Sequence, residues 1–276
     1  MFPIRPAATS PGIEVRCHGD FVPWLAQSRG TLAVTTYNSG KLALFCAPDG
    51  VLECSIVRLP RPMGLAFDGQ QLAVAVRRAI VVWNSAETRA DARFAYRPFR
   101  LHGEYPTGRL DAHDLAFDSR GLVLANTRFN CLARPSRRAR YRRLWRPPFL
   151  RESAAGDCCH LNGVGVRDGQ PALATAFGVA VEAGGWRTAD RFHSGVALDV
   201  PTGRIVAEGL CMPHSPRWDG RQWWLCNSGL GALCRLDGRG GACETVAELP
   251  GFVRGLYLAE DRAVVGLSRI RRRHIL

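Results

Sequence analysis

A strand–turn–strand signature recurs along this chain, and it constrains the fold more than any other feature. Copies begin at Pro62 (PMGLAFDGQQLAVAV), Ala112 (AHDLAFDSRGLVLAN), Leu161 (LNGVGVRDGQPALATA), Pro213 (PHSPRWDGRQWWLCN) and Val253 (VRGLYLAEDRAVVGL). A weaker copy begins at Trp24 (WLAQSRGTLAVTTY). Each reads as an apolar strand, a tight turn and a second apolar strand. Asp68, Asp118, Asp168 and Asp219 mark four of the turns at a spacing of roughly fifty residues, which is a propeller-blade period.

Two further strand-like runs follow the signature pair. They are AIVVWN and ARFAY after the second copy, and GALCRLDG and ETVAEL after the fifth. Four strands per unit is the blade pattern. No segment offers a capped amphipathic helix. The expectation is a single all-β domain over residues 1–276, a six-bladed β-propeller with four-stranded blades. Its last blade either lacks its outer half or is filled in part by the N-terminal segment up to Val22, because the sixth unit shows only GLYLAED and RAVVGLS before SRIRRRHIL. The stretch from Gly184 to Ser194 reads as an insertion in the fourth unit.

Strand alternation aligns one position across the repeats, at the start of the inner strand. It carries Met63, His113, Asn162, His214 and Arg254. In a propeller the innermost strands line the central channel, so these residues would form a ring. His113, Asn162 and His214 form a candidate set for one divalent transition metal (zinc, iron or copper), because two imidazoles and a neutral oxygen leave coordination positions open. Asp114 and His160 would support it. In an enzyme His113, His214 and Arg254 would be the catalytic set, with Arg254 pairing with substrate charge. The same ring without metal is a polar, water-filled channel, or a site for an organic ligand.

A second polar set follows the second strand of each unit: Thr36, Tyr37, Asn126, Thr127, Arg128, Asn227, Ser228, Ser268 and Arg269. It falls near one rim, where loops carry function. Asn126, Arg128, Asn227 and Ser228 are the candidate substrate-binding residues. Arg128, Arg254 and Arg269 form a candidate clamp for a carboxylate or phosphate. Turn chemistry alone also explains Asn and Ser there. The adjacent Cys158, Cys159 and His160 offer a thiol beside an imidazole, although neighbours on a strand face opposite sides.

The formal charge is +13, which raises the question of nucleic acid. Lys41 is the single lysine, so the excess is arginine throughout and reads as compositional bias. The densest run, Arg137 to Arg146, has no nucleic-acid module around it. No phosphate-binding glycine loop leads into a helix, and no GxSxG elbow is present. No apolar run reaches signal-peptide or membrane-spanning length. The ten cysteines lack ligand spacing. A cytoplasmic protein with reduced thiols is expected, with a small-molecule or peptide ligand and with neither nucleic acid nor membrane as partner. The spacing leaves the oligomeric state open.

The strings VTTYNSGKL, RPMGLAFDG, DAHDLAFD, NTRFNCL, WRPPFL, CHLNGVGVRDG, MPHSPRW, LPGFVRGL and VGLSR resemble an uncharacterised bacterial family of conserved hypothetical, propeller-like proteins. The resemblance spans about Phe21 to Arg269. It implies that His113, Asp114, Asn126, Arg128, His160, Asn162, His214, Ser215 and Arg254 occupy motif positions, and it supplies no reaction. It also implies a C-terminally short member, since the family continues with further strands after VGLSR. Two function classes follow: a metal-dependent enzyme acting on a small molecule at the channel mouth, or a non-catalytic binding or scaffold propeller for a peptide, a protein or a small acid.

Overall fold

The structure, a computed structural model, describes residues 14–85, 99–152, 156–237 and 241–268. The run ARFAY (92–96), Arg269 and the N-terminal residues up to 13 lie outside the described residues. The chain divides into two compact units, Met1–Pro106 and Thr107–Leu276.

In the first unit a short helix, α1 (Phe21–Ser28), precedes a three-stranded antiparallel sheet of β1 (Leu32–Thr36), β2 (Lys41–Cys46) and β3 (Glu53–Arg58). A four-stranded sheet follows, built from β4 (Leu65–Phe67), β5 (Gln71–Ala75), β6 (Ala79–Ser85) and β7 (Phe99–Pro106). The helix corrects the strand expected from Trp24. Trp24 N donates to Asp20 O to close the first turn, Leu25 is buried, and Arg29 ends the helix in the left-handed conformation.

The second unit holds two more four-stranded meanders, β8 (Ala112–Asp118) to β9 (Gly121–Asn126), β10 (Cys131–Pro135) and β11 (Tyr141–Trp145), then β12 (Leu161–Arg167) to β13 (Gln170–Ala176), β14 (Gly195–Asp199) and β15 (Ile205–Leu210). A third comprises β16 (Pro213–Trp218), β17 (Trp223–Asn227), β18 (Ala232–Leu236) and β19 (Glu244–Glu248). Among the described residues the last repeat gives the hairpin β20 (Phe252–Leu258) and β21 (Ala263–Ser268).

The fold is an all-β propeller with four-stranded blades, and the blade count is five rather than the six expected. A blade needs a sheet of several strands. Among the described residues five sheets have three or four strands, and the sixth repeat adds a single hairpin. No helix among the described residues is long and apolar enough to cross a membrane.

The turn aspartates work in two ways. Asp68 and Asp219 accept from the backbone N–H groups two and three residues on, and Asp118 from the one two residues on, as side-chain turns. Asp168 instead adopts the left-handed conformation itself. Each blade of the second unit buries the alternate aliphatic residues of its middle strands, such as Val123, Leu132, Leu173, Leu198 and Leu225.

Within this unit the inner strands β8, β12, β16 and β20 lie side by side in chain order. The glycines of LNGVGV let them approach. A Cβ on Gly163 would lie 2.5 Å from Pro216 Cδ, and one on Gly165 would lie 2.5 Å from the Trp223 ring. A buried ion pair ties three inner strands together. The Asp114 carboxylate on β8 accepts from Arg217 Nη1 and Nη2 on β16 at 3.0 and 2.9 Å, and from Val164 N on β12 at 3.2 Å. Arg217 Nη1 also reaches Val164 O and Pro216 O.

Candidate functional site

The aligned position is the second residue of each inner strand. The first residues, Ala112, Leu161, Pro213 and Phe252, pair with the ends of the following strands, at Asn126, Ala176, Asn227 and Ser268. His113, Asn162 and His214 therefore share one place. Val253 takes that place in the last hairpin, and Arg254 sits one residue further on. Each inner strand bulges just past this point, which re-aims the side chains there.

A backbone device recurs here. Asp111, His160 and Met212 each adopt the left-handed conformation, with φ of 51, 52 and 50°. Their carbonyls meet the side chain two residues on. Asp111 O lies 2.8 Å from His113 Nδ1, His160 O accepts from Asn162 Nδ2 at 3.1 Å, and Met212 O lies 3.0 Å from His214 Nδ1.

The hydroxyl that follows the second strand completes each histidine's setting. Thr127 Oγ1 lies 2.7 Å from His113 Nδ1 and donates to Leu161 O at 2.6 Å. Ser228 Oγ lies 2.9 Å from His214 Nδ1 and donates to Cys226 O. A carbonyl only accepts, and each hydroxyl has its own proton committed, so both rings carry their proton on Nδ1. Burial, with the Arg254 charge and the neighbouring imidazoles, holds His113 and His214 well below the usual histidine range. Both are neutral at pH 7.

His160 is fixed differently. Its Nδ1 donates to Asp157 Oδ2 at 2.7 Å, its backbone N to Asp157 Oδ1 at 2.9 Å, and Trp186 Nε1 also donates to Oδ2. Its ring centroid lies 4.2 Å from Trp186, 4.4 Å from Phe177 and 4.8 Å from His113. Phe177 in turn is 5.2 Å from His214, which is 5.6 Å from Phe252. The three histidines thus form one aromatic-walled cluster. None of their Nε2 atoms has a hydrogen-bond partner among the described residues.

The other expected residues are placed as follows. Asn162 is buried, with its Oδ1 accepting from Thr175 Oγ1 and its Nδ2 committed to His160 O, so both polar atoms are used within its blade. No group of three or more His, Cys, Asp or Glu able to hold a metal exists among the described residues. Asp114 serves Arg217 rather than His113.

Asn126 Oδ1 accepts from Phe129 N and caps the turn after β9, and its buried Nδ2 has no hydrogen-bond partner among the described residues. Asn227 Oδ1 accepts from Cys211 N. Arg128 is exposed, Ser228 holds His214, and Ser215 Oγ accepts from Gly255 N. Cys158 and Cys159 are buried, and burial raises both thiols, Cys159 most. A nucleophilic thiol needs the opposite shift.

Sequence reasoning missed Phe177, Phe252, Trp186 and Asp157. Phe177 was findable, since it follows β13 as Thr127 and Ser228 follow β9 and β17. Trp186 lies in the insertion between β13 and β14, which has no repeat counterpart.

The bladed sheets and this inner-strand cluster define a β-propeller protein with a candidate ligand site. More particularly, the chain belongs to the family described as a domain of unknown function, DUF4915, whose model matches residues 19–276. No match is found among the curated proteins.

Solved structures share the fold at low identity. A streptogramin B lyase is 15% identical with a TM-score of 0.52, covering 87% of this chain and 74% of that one. A catalytically inactive histidine-to-alanine form of virginiamycin B lyase from Staphylococcus aureus, with quinupristin, is 13% identical with a TM-score of 0.50 and the same coverage. A Thermus thermophilus protein described as a candidate oxidoreductase (glucose dehydrogenase) is 14% identical with a TM-score of 0.56, covering 84% and 85%.

Proposed function

We propose that the His113–His160–His214 cluster binds a small organic molecule bearing an acidic group and moves a proton on it. One observation carries this reading: all three Nδ1 atoms are engaged, and all three Nε2 atoms are left without partners among the described residues. His160 is the general base, because the Asp157 carboxylate stabilises the imidazolium that forms when Nε2 takes a proton. His113 and His214 stay neutral and accept hydrogen bonds from substrate O–H or N–H groups. Arg254, close enough to depress both, pairs with the substrate's negative charge. Phe177, Trp186 and Phe252 supply apolar walls.

The virginiamycin B lyase comparison supports this by analogy of fold only. In that protein a histidine-to-alanine change gives a catalytically inactive form. Two alternatives use the same atoms. His113 and His214 could ligate one zinc, iron or copper ion through Nε2, or the site could bind an acid or a peptide without turnover.

The test is a titration with a panel of small hydroxy- and aromatic carboxylic acids, followed by imidazole nitrogen NMR. Binding is expected to shift the Nε2 resonances of His113, His160 and His214, and Arg254→Ala is expected to weaken it tenfold or more. The reading is abandoned if no acid moves these resonances in the folded protein. Binding with no turnover in His160-dependent assays would leave the binding-protein alternative.

A further inference from the structure

A second reactive cluster lies on the two outer strands of the blade whose inner strand carries His214. Cys234, on β18, is buried, and its sulfur is 3.7 Å from Thr245 Oγ1 on β19. Cys234 pairs with Thr245, and Arg235 with Glu244. Continuing that register sets Cys243 diagonally across from Cys234 on the same face, just before β19 begins. Cys243 is half-buried and packs on the cluster that contains Cys234. Each thiol shifts the other's ionisation, and neither is in a disulfide.

We propose that Cys234 and Cys243 are a redox-modifiable dithiol that closes to a disulfide by exchange with a low-molecular-weight disulfide. The half-exposed Cys243 attacks as thiolate. The small disulfide's S–S bond breaks, a mixed disulfide forms on Cys243, and one small thiolate leaves and takes up a proton. Cys234 then attacks the Cys243 sulfur, the protein disulfide forms and the second small thiol leaves. In sum, one dithiol is oxidised and one disulfide is reduced to two thiols.

The pair's chemistry supports this. The first ionisation, which belongs to the pair and not to either sulfur, is lowered to about 7, because the remaining thiol and then the Thr245 hydroxyl stabilise the anion against the cost of burial. The second is pushed up, since a second anion would face the first. One thiolate is thus shared at neutral pH, where the buried Cys226 and Cys159 are held well above the ordinary thiol range.

The experiment uses the full chain, reduced and then exposed to oxidised glutathione near pH 7, with intact-mass and peptide mapping. The expected product has lost two hydrogens, carries a Cys234–Cys243 link and returns to the dithiol with reductant. Cys234→Ser, checked for folding by circular dichroism, should keep glutathione on Cys243 with nothing to displace it. Cys17, another half-buried thiol, serves as the internal reference. The proposal is overturned if Cys243 reacts no faster than Cys17, if glutathione stays on Cys243 in the unsubstituted protein, or if the linkage joins other cysteines.

Discussion

Replacing Asp114 by alanine removes the one carboxylate that joins β8, β12 and β16. Four hydrogen bonds end on it: two from Arg217, one from Val164 N and one from Leu115 N. Its side chain is 7% exposed and that of Arg217 is 26%. Breaking a buried pair from one side costs about 3–5 kcal/mol. The partly wet guanidinium recovers some hydration, so the lower end, about 3 kcal/mol, is the expected loss. Against a total stability of about 5–15 kcal/mol that is a large fraction.

Urea unfolding followed by tryptophan fluorescence and circular dichroism reads it directly, as a lower midpoint with coincident transitions. Replacing both partners, with Asp114→Leu and Arg217→Met, should restore most of the loss, since no unpaired charge remains. The reasoning is refuted if Asp114→Ala costs under about 1 kcal/mol, or if the double variant is no better than the single one.

Two more predictions follow from the histidines. His113 and His214 are held neutral in the fold but titrate near 6.5 when unfolded. The unfolded chain then binds more protons below that pH, so stability is full above about 6.5 and declines as pH falls. His113→Gln together with His214→Gln should flatten that slope, as measured by urea midpoints from pH 7.5 to 5. Elemental analysis of protein purified without a metal-affinity tag should find no stoichiometric zinc, iron or copper. Near-stoichiometric metal, lost in a still-folded His113→Ala/His214→Ala variant, would favour the metal alternative.

The repeat and its turns are legible in the sequence because a strand–turn–strand unit has only local requirements: alternating side chains and an Asp or Gly at the turn. The same alternation places His113, Asn162 and His214 in register. It misplaces Arg254 by one residue, because the β20 pairing that fixes the frame starts at Phe252 and leaves no mark in the residue types. Helix α1 hides because apolar Trp24–Leu25 reads equally well as strand when its turns are closed by backbone alone. What joins distant positions is illegible. Asp114 and Arg217 meet across 103 residues, and Trp186 reaches Asp157 from an insertion that no repeat predicts.

The left-handed residue two places before each aligned side chain separates scaffold from chemistry. Asp111, His160 and Met212 present their carbonyls whatever the side chain that receives them, and the imidazole of His113 and the amide of Asn162 are gripped by the same backbone atom. The inner strands β8, β12 and β16 therefore each carry a socket with one main-chain acceptor in a fixed place. A residue fitted there is aimed first by the backbone and then by a neighbouring hydroxyl, and exchanging imidazole for amide at such a socket changes what the cluster can bind while the strand pairing stays as it is.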